Sequence, residues 1–203
     1  MIIFILGGVK GGKSMLAQCA AKYLSEQDDS SNLCYLATMV PGDEEDKKRI
    51  TRHIYDREDW GFRTIEEGYC LLDMIDQVNA NDVVLLDSIT AYVQNIIFSD
   101  NDVVNDIKSE DIFLHIRTLA KCVKDLIIVS DYIFSDAIQY GFETEFYKRI
   151  LGNVHAQIAR ESDVVIECAY SNMKFWKNTE NFDFTPIYDA YYHYDRHLEY
   201  KDI

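Results

Sequence analysis

The sequence predicts a three-layer α/β fold built on a mostly parallel central sheet of five or more strands. Two observations carry this expectation. First, five short runs, "IIFIL" (2–6), "LCYLA" (33–37), "VVLLD" (83–87), "LIIVS" (126–130) and "VVIEC" (164–168), are apolar or β-branched without alternation. That is the pattern of strands buried on both faces, as in a parallel sheet. Second, stripes at helical spacing lie between them: Met15, Leu16, Cys19, Ala20 and Tyr23; Ile112, Ile116, Leu119 and Val123; Phe146, Ile150, Val154 and Ile158. Strand–helix alternation of this kind implies right-handed βαβ units.

The 203 residues suffice for one domain with a small appendage. Only two prolines, Pro41 and Pro186, interrupt the chain, and no Gly/Ser linker marks a boundary. A nucleotide-binding domain is therefore expected over 1–176. The remainder, 177–203, is rich in aromatic and acidic residues and reads as an extension, a hairpin or an interface arm. The charged stretch 42–68 predicts a helix near 43–55 followed by a loop. A formal charge of -15 repels nucleic-acid phosphate, so a nucleic-acid partner is not expected. Cys19, Cys34, Cys70, Cys122 and Cys168 are scattered and never in C-x-x-C spacing, which argues against a disulfide framework or a zinc site. The opening "MIIFIL" is too short for a signal or membrane-spanning segment, and the expected location is cytoplasmic.

Residues Gly7, Gly8, Val9, Lys10, Gly11, Gly12, Lys13 and Ser14 fit G-x-x-x-x-G-K-S between a predicted strand and a predicted helix. The letters follow from the chemistry. Glycines let the backbone wrap a phosphate chain with its N–H groups pointing inward. The helix that follows turns its positive end to the same anion. Lys13 reaches the β- and γ-phosphates, and the Ser14 hydroxyl ligates Mg²⁺. "DVVLLDS" (82–88) supplies a second half: Asp87 closes an apolar strand, where a carboxylate can hold Mg²⁺. The alternative for Asp87 is a polar strand end that caps the next helix. The fold expected is thus a P-loop NTPase of the RecA-like kind, with Mg²⁺ and ATP or GTP as ligands.

Beyond this loop the motif order resembles one family, the bifunctional adenosylcobinamide kinase/adenosylcobinamide-phosphate guanylyltransferases of corrinoid biosynthesis. "GGVKGGKS" is similar to the family's G-G-[AS]-R-S-G-K-S, with Lys10 for Arg and Gly11 for Ser. "YLAT" (35–38) resembles Y-I-A-T, "KKRITRH" (47–53) resembles R-I-x-x-H, and "FRTIEE" (62–67) resembles W-x-T-x-E-E. "LLDSITAYVQNIIF" (85–98) is similar to L-L-[DE]-x-[IL]-T-x-x-x-x-N-L-[LI]-F, a longer match than the loop itself. "YKRILGNVHAQIARESDVVIECAYS" (147–171) resembles the family's last helix and strand.

The resemblance implies two reactions: phosphorylation of the hydroxyl on the corrinoid's aminopropanol arm, then transfer of GMP from GTP onto the new phosphate through a histidine. That histidine maps onto His53. Lys47, Lys48, Arg49 and Arg52 surround it in sequence, a basic cluster suited to α-phosphate oxygens. The bland alternative is an exposed histidine on a charged helix. The resemblance also places Leu36, Ala37, Thr38, Ile54, Tyr55, Asp56 and Arg57 with the nucleotide. It assigns Glu66 to the pocket, where a carboxylate can accept from guanine N–H groups or simply be solvated. It further implies a homotrimer. His115, His155, His193 and His197 read as structural or surface residues.

The match breaks at "SDYIFSDAIQYG" (130–141), where the family carries N-E-V-G-x-G-[IV]-x-P. Asp131 stands for Asn, Tyr132 for Glu, and Phe134 and Asp136 for the two glycines, so the loop needs another shape. Glu58 replaces a proline after Arg57, and His155 stands for an Asn. Two alternatives therefore stay open: a divergent kinase without guanylyl transfer, and a nucleotide-binding regulatory protein.

Overall fold

Each apolar run becomes a strand, and two polar segments join them at the sheet edges. The computed structural model describes residues 1–99, 107–134, 136, 138–170, 172–179 and 181–198; for residues 49, 52, 53, 56, 58 and 194–198 it describes the backbone alone. The strands are β1 (Ile2–Gly7), β2 (Asn32–Ala37), β3 (Arg63–Glu66), β4 (Asp82–Asp87), β5 (Asp125–Asp131), β6 (Val164–Ala169) and β7 (Asn172–Asn178). The helices are α1 (Lys13–Ser25), α2 (Glu44–Asp56), α3 (Ile89–Ile97), α4 (Ser109–Cys122), α5 (Phe142–Glu161) and α6 (Thr185–Leu198).

The seven strands run in the order β3-β2-β4-β5-β1-β6-β7. All pairings are parallel except β6–β7. The strand that leads into the glycine-rich loop therefore lies centrally, and β5 separates it from the strand that ends at Asp87. On sequence alone these two strands are expected as neighbours. They are not, because strand order is a property of the crossovers and not of any local pattern.

Strand residues alternate between two cores. Ile3, Ile5, Tyr35, Val83, Leu85, Ile127, Val129 and Ile166 pack against α1 and α6. Phe4, Cys34, Leu36, Val84, Leu86, Leu126, Ile128 and Val165 face α3, α4 and α5. Helices on both faces make the three layers. The helix ends have local causes. Asp43 caps α2 by accepting from the Asp46 amide (2.8 Å), and acids fill the first turn. Ser88 caps α3 by accepting from the Ala91 amide (3.3 Å), so the capping role falls to Ser88 and not to Asp87.

The 176/177 boundary falls inside β7, which pairs with β6. Residues 185–198 form a helix and not the hairpin that is one expectation from the sequence. Phe184, Ile187 and Tyr191 share one side at helical spacing and are buried in the core that α1 forms. The expected loop after α2 contains β3, which pairs with β2 through only four residues. Among the described residues no helix is long and apolar enough to cross a membrane.

Candidate functional site

The loop after β1 owes its shape to close backbone contacts. A side chain at Gly7 would collide with the Cys168 carbonyl on β6. The Gly11 amide donates to the Gly8 carbonyl (3.1 Å), closing a tight turn. Lys10 (φ 59°) and Gly12 (φ 88°) are left-handed. For Gly12 this is doubly restrictive, because a Cβ there would also strike the hydroxyl of Tyr191 on α6. Gly8, Val9 and Lys10 form the exposed rim. Gly12 is the N-cap of α1; no side chain caps it and no acid stands in the first turn. The orphan N–H groups of that turn, with the helix dipole behind them, face the loop and suit an anion.

Lys13 is buried, and its ammonium has two partners within the protein. Nζ donates to the Gly8 carbonyl (2.6 Å) and pairs with Asp131 Oδ1 (2.9 Å). Asp131 is the last residue of β5 and sits in register with Gly7, the last residue of β1. Asp87, the last residue of β4, is in register with Val129 on the other side of β5. Two strand-end carboxylates thus frame the lysine's side of the loop.

Asp87 is oriented by Tyr35, whose hydroxyl donates to Oδ2 (2.8 Å). Burial, together with the adjacent carboxylate, pushes the Tyr35 phenol well above its ordinary range, so it stays a donor. The Arg57 guanidinium lies 3.8 Å from the centre of the Tyr35 ring. Arg57 thereby ties the end of α2 to β2, whose Tyr35 in turn bonds the end of β4. Next to it the Asp87–Ser88 peptide is cis. Thr38 brackets Ser88, donating to its carbonyl (2.7 Å) and accepting from its amide (2.8 Å).

Ser14 and Asp87 are hard oxygen donors of the kind Mg²⁺ takes. Among the described residues no group of three or more His, Cys, Asp or Glu forms a metal site.

The remaining sequence-predicted residues fall into distinct settings. Leu36 is fully buried in the core, so only its backbone is available to a ligand. Thr38 is likewise buried, with its hydroxyl committed to Ser88. Ala37 is half-buried, in register with Asp87 on one side and Glu66 on the other. Glu66 is exposed at the end of β3, whereas Glu67 accepts from the Tyr69 and Cys70 amides and so shapes a turn. Ile54 and Tyr55 are exposed on α2, and Arg57 is buried. His53 and Asp56 belong to α2, and their side chains lie outside the described residues, as do those of Arg49, Arg52 and His197. Lys47 is paired with Glu44 (2.6 Å). His155 is buried and bonds Ser130 Oγ (2.7 Å), and His115 bonds the Tyr92 hydroxyl (2.6 Å), both in structural settings.

Sequence reasoning missed Tyr35 and Asp131 as site residues. "LIIVSD" ends in an aspartate after an apolar strand just as "VVLLD" does, and that parallel was the available signal.

Residues 3–171 match the family described as cobinamide kinase/cobinamide phosphate guanyltransferase. The chain belongs to that family. It is 27% identical over 177 residues to the bifunctional adenosylcobalamin biosynthesis protein CobU of Escherichia coli K12, covering 81% of this chain and 93% of that protein. Among solved structures it is similar to an ATPase domain, with TM-score 0.52, 11% identity, and coverage of 88% of this chain and 77% of that one. It is also similar to the ATP synthase subunit NeqB of Nanoarcheaum equitans, with TM-score 0.50, 10% identity, and coverage of 82% and 45%. These likenesses show the fold, which is the P-loop NTPase fold expected from the sequence. Family membership makes the chain a nucleotide-dependent enzyme of cobalamin biosynthesis.

Proposed function

We propose that this chain phosphorylates the aminopropanol hydroxyl of adenosylcobinamide with ATP or GTP, and then transfers GMP from GTP to the product through His53. The observation that carries the reading is the phosphate-shaped loop at the end of β1, set within a family match that spans residues 3–171.

In this reading Gly7 to Gly12 and the first turn of α1 hold the triphosphate through backbone N–H groups. Lys13 neutralises the β- and γ-oxygens. Ser14 and Asp87 hold Mg²⁺, which supplies charge neutralisation at the phosphates. Tyr35 fixes the Asp87 carboxylate, and Arg57 fixes Tyr35. In the second reaction a neutral His53 ring nitrogen forms a bond to the α-phosphorus of GTP, and pyrophosphate leaves. A phosphate oxygen of adenosylcobinamide phosphate then displaces the histidine, giving adenosylcobinamide-GDP. Glu66 is assigned to the guanine edge, and the trimer implied by the resemblance is part of the same reading.

The test is incubation with α-labelled GTP and Mg²⁺, with and without adenosylcobinamide. The expected result is an acid-labile, base-stable label at His53 that adenosylcobinamide phosphate discharges. A protein that turns over nucleotide with the corrinoid but never takes the label would reduce the function to a kinase.

One observation favours that second reading. In the loop that departs from the family, the Phe134 ring lies edge-on to His155 (5.6 Å) and to Tyr132 (5.7 Å), and Asp136 accepts from Tyr140 and Lys148. Side chains occupy the place of the family's glycines, and neither residue has positive φ. A different alcohol acceptor fits such a loop, and activity on that alcohol alone would decide for it.

A further inference from the structure

The P-loop lysine is occupied before any ligand arrives. Its partners are a backbone carbonyl of its own loop at 2.6 Å and the Asp131 carboxylate at 2.9 Å. The Lys13 side chain is 7% exposed and that of Asp131 27%, so water screens this pair far less than a surface one. A phosphate chain that recruits Lys13 therefore competes with Asp131 for its charge.

The backbone of Asp131 is held in place. Its amide donates to Thr90 Oγ1 (2.7 Å), and that hydroxyl bonds Ser130 Oγ (2.9 Å), which bonds His155 (2.7 Å). The next amide, Tyr132, donates to the Gly7 carbonyl (2.8 Å), which locks the strand end to β1. The backbone is pinned on both sides of the carboxylate. When Lys13 turns to phosphate, Asp131 remains as a negative charge beside the incoming anion.

We infer that Asp131 is a specificity-determining residue that makes the site discriminate metal-bound from metal-free nucleotide. The inference rests on the reading of Lys13 as a phosphate ligand. A metal-free triphosphate breaks the Lys13–Asp131 pair and meets an uncompensated carboxylate. A Mg²⁺-bound triphosphate brings two positive charges with it, which offset Asp131 together with Asp87. The loop alone would accept either form, because backbone N–H groups answer to any phosphate. The carboxylate on β5 supplies the penalty against the wrong one.

The experiment is calorimetric titration of GTP into the full chain, once with excess EDTA and once with Mg²⁺, for wild type, Asp131→Asn and Asp131→Ala. Wild type is expected to bind GTP with Mg²⁺ far more tightly than without. Asp131→Asn is expected to narrow that ratio by about tenfold or more, chiefly by tightening the metal-free complex. Asp131→Ala should move the ratio the same way. An unchanged ratio in folded variants, or equal weakening in both conditions, would overturn the inference while leaving nucleotide binding intact. Loss of cooperative melting in both variants would place Asp131 in folding and overturn it as well. Wild type that binds GTP in neither condition would instead bring down the nucleotide reading on which it rests.

Discussion

The loop at 7–14 and the helix at 44–56 are proposed to serve one two-step chemistry, yet they are built in opposite ways. The loop is braced from every side: Cys168 behind Gly7, Tyr191 behind Gly12, Asp131 on Lys13. The ligand groups proposed for it are backbone amides, so the proposed function and the conformation are one thing. Helix α2 is a largely exposed, charged helix. Its anchor is Arg57, folded under onto Tyr35 at the C-terminal end. A site made of main chain can be recognised from its fold alone, because the fold is the chemistry. A catalytic role proposed for one residue of a helix is recognised only by what that residue does.

The sharpest way to break this contrast is at α2. His53→Ala is expected to abolish the histidine-linked GMP label completely, with Mg²⁺-dependent nucleotide affinity and melting temperature within error of wild type. An equal loss of nucleotide affinity would show that α2 is part of the cradle after all.

In the loop, function and stability should move together. Gly12→Ala puts a side chain at φ 88° and against the Tyr191 hydroxyl. A loss of about 3 kcal/mol in chemical denaturation is expected. Adding Tyr191→Phe should recover part of it, which a double-mutant cycle reads directly. Additive losses would mean that α6 does not support the loop.

Behind the loop, His155 carries a pH dependence. Burial pushes its pKa down from the usual 6.5 to about 4, against a smaller opposite pull from Asp131. A lowered folded pKa means the unfolded chain binds the proton first as pH falls. The stabilisation is therefore full above pH 6.5 and is lost between there and about pH 4. The integrated loss is on the order of 3 kcal/mol, and His155→Gln should flatten the stability profile in that window. His115 is shifted in the same direction by burial and adds to the background slope. A smaller effect is expected at Asp87: Tyr35→Phe removes one hydrogen bond to its carboxylate and should cost about 1 kcal/mol in thermal or chemical unfolding.

Legibility from sequence follows the same division. The five buried strands announced themselves because both faces of each are covered, so no polar alternation dilutes the signal. β3 did not, since of its four residues only Ile65 is buried. β7, "NMKFWKN", is an exposed edge strand held by its antiparallel partner, and nothing in its composition says so. Helix α6 hid in an aromatic, acidic tail. Its buried stripe of Phe184, Ile187 and Tyr191 is plain only once α1 is seen to need a cover. The loop and Asp87 were readable as motifs. The strand between them was not, and with it went Asp131, whose role depends on β5 lying beside β1.

The central claim is that main-chain amides at the start of α1 and the ammonium of Lys13 hold the phosphates of a Mg²⁺-bound purine nucleotide. Calorimetric titration of GTP and of ATP, with Mg²⁺, into wild type and Lys13→Ala tests it most directly. The account predicts saturable binding by wild type and a loss of about a hundredfold in the variant, with the fold retained. Equal affinity in the two proteins, or no magnesium-dependent binding of either nucleotide by wild type, would contradict it.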